Sequence, residues 1–132
     1  MTAMEYVLAK VNATALLPAT ARLDYLSKAV PSVSVMQLPG AARAKTYIDG
    51  SGTVETPFAL DVRVAADDTD VASAMMRVLV ALEALDAHDE PVIDVYGEST
   101  PGIVDRDGKG NVIWRASGVV RWKRGSEQTE IS

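Results

Sequence analysis

The chain has 132 residues, of which 48% are hydrophobic and 23% charged. That balance fits one globular domain and excludes both a second core and extended disorder. It contains no cysteine and one histidine, His88, which excludes thiol catalysis, thiolate metal sites, disulfides and any centre built from two histidines of one chain. The net charge of −5 argues against a module that grips DNA phosphates, but not against a protein that DNA slides past. Apolar runs fall short of the roughly 20 residues of a membrane span. The start of the chain, with Glu5 and Lys10 close together, lacks the pattern of a secretion signal. The expectation is a protein assembled in the cytoplasm, with no membrane partner.

In chain order, residues 1–16 are ambiguous: Met4, Val7, Leu8 and Val11 have helical spacing, but over a short stretch. Asn12-Ala13-Thr14 matches a glycosylation sequon, which carries no weight without secretion. Pro18 opens and Pro31 stops a predicted helix of about three turns, with Ala19, Leu23, Leu26 and Ala29 as its apolar face. Val33 to Leu38 alternates as a strand and ends at Pro39-Gly40; Ala44 to Asp49 is another strand, and Gly50-Ser51-Gly52 a turn. Thr56 to Ala65 gives the cleanest alternation. Phe58, Leu60, Val62 and Val64 fall on one face, and Ala59, Asp61, Arg63 and Ala65 on the other. Pro57 has no N–H to donate, which puts the start of this strand at an edge or ahead of regular pairing.

Asp67-Asp68-Thr69-Asp70 opens the strongest helix, predicted over residues 70–87, where an Asp or Thr can cap the free N–H groups. Val71, Met75, Val78, Leu79, Leu82 and Leu85 make one stripe, and Ala72, Met76 and Val80 widen it past half the circumference. More than one surface must therefore cover this helix. Strands follow at 92–96, 103–106, 112–116 and 119–124. Residues 97–102 are a loop, Asp107 to Asn111 a turn, and Gly118 a bend. In the last strand Val120 and Trp122 share one face, Arg121 and Lys123 the other. Tight turns imply antiparallel pairing. The predicted fold is α+β over residues 1–124: an antiparallel or mixed sheet, one long amphipathic helix packed on one face, and a shorter N-terminal helix. Residues 125–132 read as a polar, flexible tail.

No constellation of residues points to catalysis or a cofactor. His88, between Asp86 and Asp89, reads as a helix C-terminal residue, since no Ser stands in a nucleophile-elbow pattern. Asp67, Asp68 and Asp70 read as a solvated helix start ahead of a cation site. Asp105 to Asn111 looks like a calcium loop but fails it: Lys109 stands at the third ligand position and Ala116 at the twelfth. Neither Gly50-Ser51-Gly52 nor Gly108-Lys109-Gly110 precedes a helix as a phosphate loop does. The basic group Arg115, Arg121, Lys123 and Arg124 is open to three readings: a solvated strand face, a contact with an acidic copy of the same chain, or a short DNA patch beside Trp114 and Trp122. For the contact reading the interface candidates are Ala72, Met76, Val80, Arg121, Lys123 and Arg124, with Asp61, Asp68, Glu83 and Asp86 as acidic partners.

One set of residues goes further. Ala44-Lys45-Thr46-Tyr47-Ile48-Asp49-Gly50, the strand Thr56-Pro57-Phe58-Ala59-Leu60-Asp61-Val62-Arg63-Val64 and the helix start Asp67-Asp68-Thr69-Asp70 stand in series. Thr100-Pro101, Arg106-Asp107, Gly110-Asn111 and Arg115-Ala116 then precede a final apolar-aromatic strand. This pattern, over about residues 30–124, resembles the minor capsid proteins of long-tailed phages of Gram-positive bacteria. Val71-Ala72 departs from it, since the family often carries an Arg there. The resemblance implies a virion protein at the neck, similar to tail terminators. Such a protein forms a ring, usually of six subunits, that caps the head-proximal end of the tail tube, stops its growth and meets the head connector. The implied partners are further copies of the chain, the tail-tube protein and the connector or head-completion protein, with DNA passing through the channel unbound. The implied location is the virion, assembled in the host cytoplasm. Alternatives are another virion part (head-completion, minor capsid or tail-tube protein), a small metal enzyme using Asp67 and Asp70, or a host-derived adaptor domain.

Overall fold

The computed structural model describes residues 3–38, 43–46, 52–84 and 92–123, and only the backbone of 43–46, 93, 122 and 123. Helix α1 spans Ala3–Thr14 and α2 spans Val71–Glu83; the strands are β1 (Ala21–Leu23), β2 (Ser32–Gln37), β3 (Arg43–Thr46), β4 (Gly52–Ala65), β5 (Val92–Gly97), β6 (Gly102–Arg106) and β7 (Asn111–Lys123). The fold is α+β with a mixed sheet. Its path runs β1-β2-β4-β7-β5, with β3 added to β4 and β6 to β7. Every pairing is antiparallel except β1 with β2, which is parallel.

The sheet dominates the domain, and its spine is the long β4–β7 pair, registered from Thr53 opposite Lys123 to Ala65 opposite Asn111. The flanking strands share that length. At one end β3 pairs β4 and β5 pairs β7; at the other, β2 pairs β4 and β6 pairs β7. Pro57 sits where this change occurs. Along β4, pairing with β3 stops at Glu55 and pairing with β2 begins at Phe58. The Pro57 carbonyl accepts from the Leu38 amide at 3.1 Å. A residue's N–H and C=O point to the same edge of a strand, so the missing N–H of Pro57 faces the gap between β3 and β2. The expected edge is a local one, inside a strand that begins at Gly52 rather than Thr56.

Both helices lie on one face, α1 against β1 and β2, α2 against β5, β7 and β4, and they touch each other. Between them and the sheet is one core. β4 contributes Phe58, Leu60, Val62 and Val64; α2 contributes Val71, Met75, Val78, Leu79 and Leu82; α1 contributes Met4, Val7 and Val11. One long helix with a shorter one before it is therefore not what covers the sheet. α2 has 13 residues, and α1, with 12, covers the other half of the sheet. Leu85, Asp86, His88 and Asp89 lie outside the described residues, as do Tyr47 to Ser51 and Arg124 to Ser132, which include the predicted tail.

The predicted helix with Ala19, Leu23, Leu26 and Ala29 as its face does not form; its place is taken by β1 and two connections. Asn12 clamps β1 at its start: the Ala21 amide donates to Asn12 Oδ1 at 2.7 Å, and Asn12 Nδ2 donates to the Ala21 carbonyl at 3.3 Å. The Asp24 amide then donates to the Val35 carbonyl at 2.8 Å with φ of +56°, a conformation no helix contains. Beyond it the chain is anchored by the Ser27 carbonyl, which accepts from Arg63 Nε at 3.0 Å and Ser32 Oγ at 2.9 Å. Gly118 is also not a bend. β7 runs through it, and a Cβ there would meet the Tyr96 carbonyl oxygen at 2.7 Å and Phe58 Cζ at 2.8 Å. The missing side chain lets the Phe58 ring lie across the ladder. Among the described residues no helix is long and apolar enough to cross a membrane.

Candidate functional site

The sheet face away from the helices carries the polar side chains of β4, β5 and β7, and there the register pairs charges within the chain. Asp61 and Arg115 are direct partners across β4 and β7. Arg115 donates from Nε to Oδ1 at 2.8 Å and from Nη2 to Oδ2 at 2.9 Å, a two-pronged contact with a carboxylate that is only 3% exposed. Asp94 and Arg121 repeat the arrangement across β5 and β7, at 3.0 and 2.6 Å. These bonds to a carboxylate push the affinity of both guanidinium groups for their protons upward, against a smaller opposing effect of burial. Tyr96 lies on the same face and donates to Glu55 at 3.3 Å. Burial first, then the Glu55 charge and hydrogen bond, raise the Tyr96 hydroxyl above its ordinary range.

Two of the expected interface residues are thus paired within the chain. Asp61 is buried beneath Arg115, and Arg121 is held by Asp94. Lys123 has only its backbone described, and Arg124 lies outside the described residues. Ser34, opposite Asp61 on β2, is fully buried, and its hydroxyl has no partner among the described residues.

The other candidates converge. On α2 the buried residues Val71, Met75, Val78 and Leu82 face the sheet, and Ala72, Met76, Val80 and Glu83 follow one another along the flank above β5. Met76 stays 39% exposed and Val80 59% exposed, while Ala72 is half-buried. Glu83 is turned down to the sheet, its Oε1 accepting from the Gly97 amide at 2.7 Å. Between this flank and the β5–β6 connection runs an open cleft of about 200 Å³, lined by Met76, Leu79, Val80, Glu83, Glu98 and Thr100 among others. Sequence periodicity identified Met76 and Val80 as surplus to one stripe. It missed the exposed Ile103 and Val104 of β6, and Tyr25 and Val30 after β1. The bulge between Ile103 and Asp105 breaks the alternation that would have revealed β6 as an edge.

The acidic candidates separate. Asp68 Oδ1 accepts from the Asp70 amide at 3.0 Å, and Asp70 occupies the cap position of α2 without a side-chain capping bond. Asp107 organises the β6–β7 turn. Its carboxylate accepts from the amides of Lys109 at 2.7 Å and Asn111 at 3.2 Å, and from Asn111 Nδ2 at 2.9 Å. The Lys109 amide, then the Asn111 side chain, hold this carboxyl below the usual aspartate range. Gly108 and Gly110 take positive φ of 74° and 85° in the same turn. Among the described residues no group of three or more acidic, His or Cys side chains is placed to hold a metal ion. The chain matches no known family model, and no curated protein matches it.

Proposed function

We propose that this chain is a structural protein of a phage neck, of tail-terminator type. Copies of it close a ring, of six by the resemblance, that caps the head-proximal end of the tail tube, halts its polymerisation and joins it to the head connector. The supporting observation is the outward flank of α2. A helix that otherwise packs into a core keeps Met76 and Val80 at the surface beside an apolar-floored cleft, and such a patch marks a contact with another protein surface. The sheet-dominated α+β fold is compatible with the tail-terminator fold that the residue pattern over about residues 30–124 implies. The acidic balance of −5 suits a channel that DNA traverses without adhering.

The test is mass photometry with negative-stain microscopy of the purified chain, alone and with the tail-tube protein of the same genome. Closed rings, or caps that shorten growing tubes, are the expected result. A particle of one chain in both conditions, with tube length unchanged, overturns the proposal.

A further inference from the structure

The apolar side chains that the fold leaves exposed are not scattered. Among the described residues, the large ones are Leu16, Tyr25 and Val30 in one group, and Met76, Val80, Ile103 and Val104 in another. The first three lie on the connections either side of β1, the strand at one end of the sheet path. The other four lie on the α2 flank and on β6. The α2 flank borders β5 and β7, and β6 pairs the same outer edge of β7 as β5 does, at the opposite end of that path. The β2–β4–β7 middle of the sheet carries none of them. Both lateral edges of the domain are therefore apolar, and they are different surfaces.

Their charges differ as well. Among the described residues, the exposed ionic groups around β1 are Arg22, Lys28 and Asp24, two cations against one anion. Around the α2–β5 cleft they are Glu83 and Glu98, with Asp105 and Arg106 on β6 beside them. Arg77, three residues before Val80, is about 60° from it around α2 and does not line the cleft. One edge is apolar with a positive bias, the other apolar with a negative bias, so a second copy of this chain complements the first.

We infer that subunits associate head to tail, the β1 edge of one copy (Leu16, Tyr25, Val30, with Arg22 and Lys28) seating on the α2–β5–β6 edge of the next (Met76, Val80, Ile103, with Glu83 and Glu98). The inference rests on the self-assembly proposed above and says which two surfaces perform it. Because the two patches differ and lie at opposite ends of the sheet, each subunit keeps one free after a contact forms. Growth continues until the rotation closes a ring.

Two variants test the assignment, Tyr25→Glu on one edge and Val80→Glu on the other. Both residues are more than half exposed, so the fold and thermal midpoint should survive. Each variant alone should lose assembly by roughly 30-fold or more in apparent Kd, as expected when a carboxylate enters a central apolar contact. Mixed in equal amounts, they should form a particle of two chains and none larger, because the intact β1 edge of the Val80→Glu chain meets the intact α2 edge of the Tyr25→Glu chain. Assembly like the parent chain in both variants, loss in only one, or a mixture that stays as single chains overturns the edge assignment while leaving a ring built elsewhere standing. A parent chain that remains single at every concentration overturns the self-contact, and the tube experiment then decides the neck proposal on its own.

Discussion

Gly118 and Phe58 are opposite one another on β7 and β4, and the ring of one fills the space the other leaves empty. Gly118→Ala would place a methyl group against the Tyr96 carbonyl oxygen, which cannot move without shifting β5. The expected loss is about 1–3 kcal/mol in urea denaturation, as for an overpacked core; a loss below roughly half a kcal/mol would show that the sheet gives way at no strain. Arg115 makes a second test at this scale. Arg115→Met retains much of the stem but leaves the Asp61 carboxylate buried without its fork. A loss of about 1–3 kcal/mol is expected, with recovery when Asp61→Asn is added, because the uncompensated charge is then gone. Asp107 gives the pH-dependent case. Its carboxyl titrates lower in the folded chain than in the unfolded one. The stability it contributes is therefore present above the unfolded aspartate value of about 3.9 and is lost as pH falls through the folded value. Carboxyl NMR titration should show the Asp107 midpoint below the unfolded aspartate value, and Asp107→Ala should remove that low midpoint and loosen the turn.

At the scale of elements, β1 depends on a side chain of the preceding helix. Asn12 supplies both a donor and an acceptor to Ala21, so Asn12→Ala should free the three residues of β1 while α2 and the β4–β7 pair persist. Hydrogen exchange reads this as faster exchange at Ala21 and Asp24 with little change at Leu60. Global unfolding at the same rate everywhere would count against it. The packing of α2 gives the opposite expectation. Leu79 is 5% exposed and faces β5, where a side chain added at Gly97 would meet it at 3.8 Å. Leu79→Ala should destabilise the whole domain by about 2–5 kcal/mol, because it opens the one layer that α2 and the sheet share.

For the whole molecule, the two charge pairs on the outer sheet face and the two apolar edges make different demands on salt. The Arg115–Asp61 and Arg121–Asp94 pairs lie inside one subunit. Added salt should weaken the half-exposed Arg121 pair more than the buried Asp61 pair. Arg121→Glu would place two carboxylates opposite each other on β5 and β7. It should therefore lower the stability of the isolated chain and, under the self-contact proposed above, leave assembly to the surfaces of Tyr25 and Val80. If Arg121→Glu instead abolishes assembly of a subunit whose melting temperature is unchanged, the outer face is itself a contact surface.

Periodicity in the sequence was enough to determine the alternation of β4, the buried stripe of α2, the hairpin turn at Asp107 to Asn111, and the surplus of Met76 and Val80, because each of these is a local pattern repeated by the backbone's own geometry. It also pointed to Pro57 as a residue that must avoid a partner. What it could not contain were the events that depend on distant backbone. The Ala19 to Ala29 stretch has helical spacing, but parallel pairing to β2 and the Asn12 clamp draw its middle into a strand. Gly118 reads as a bend until Phe58 is brought across from β4. Arg121 and Asp61 read as free charges until register sets Asp94 and Arg115 opposite them. That Leu16, Tyr25, Val30, Ile103 and Val104 stay exposed as well was decided only by tertiary structure. Burial belongs to the surface another element covers, and no single segment carries that information.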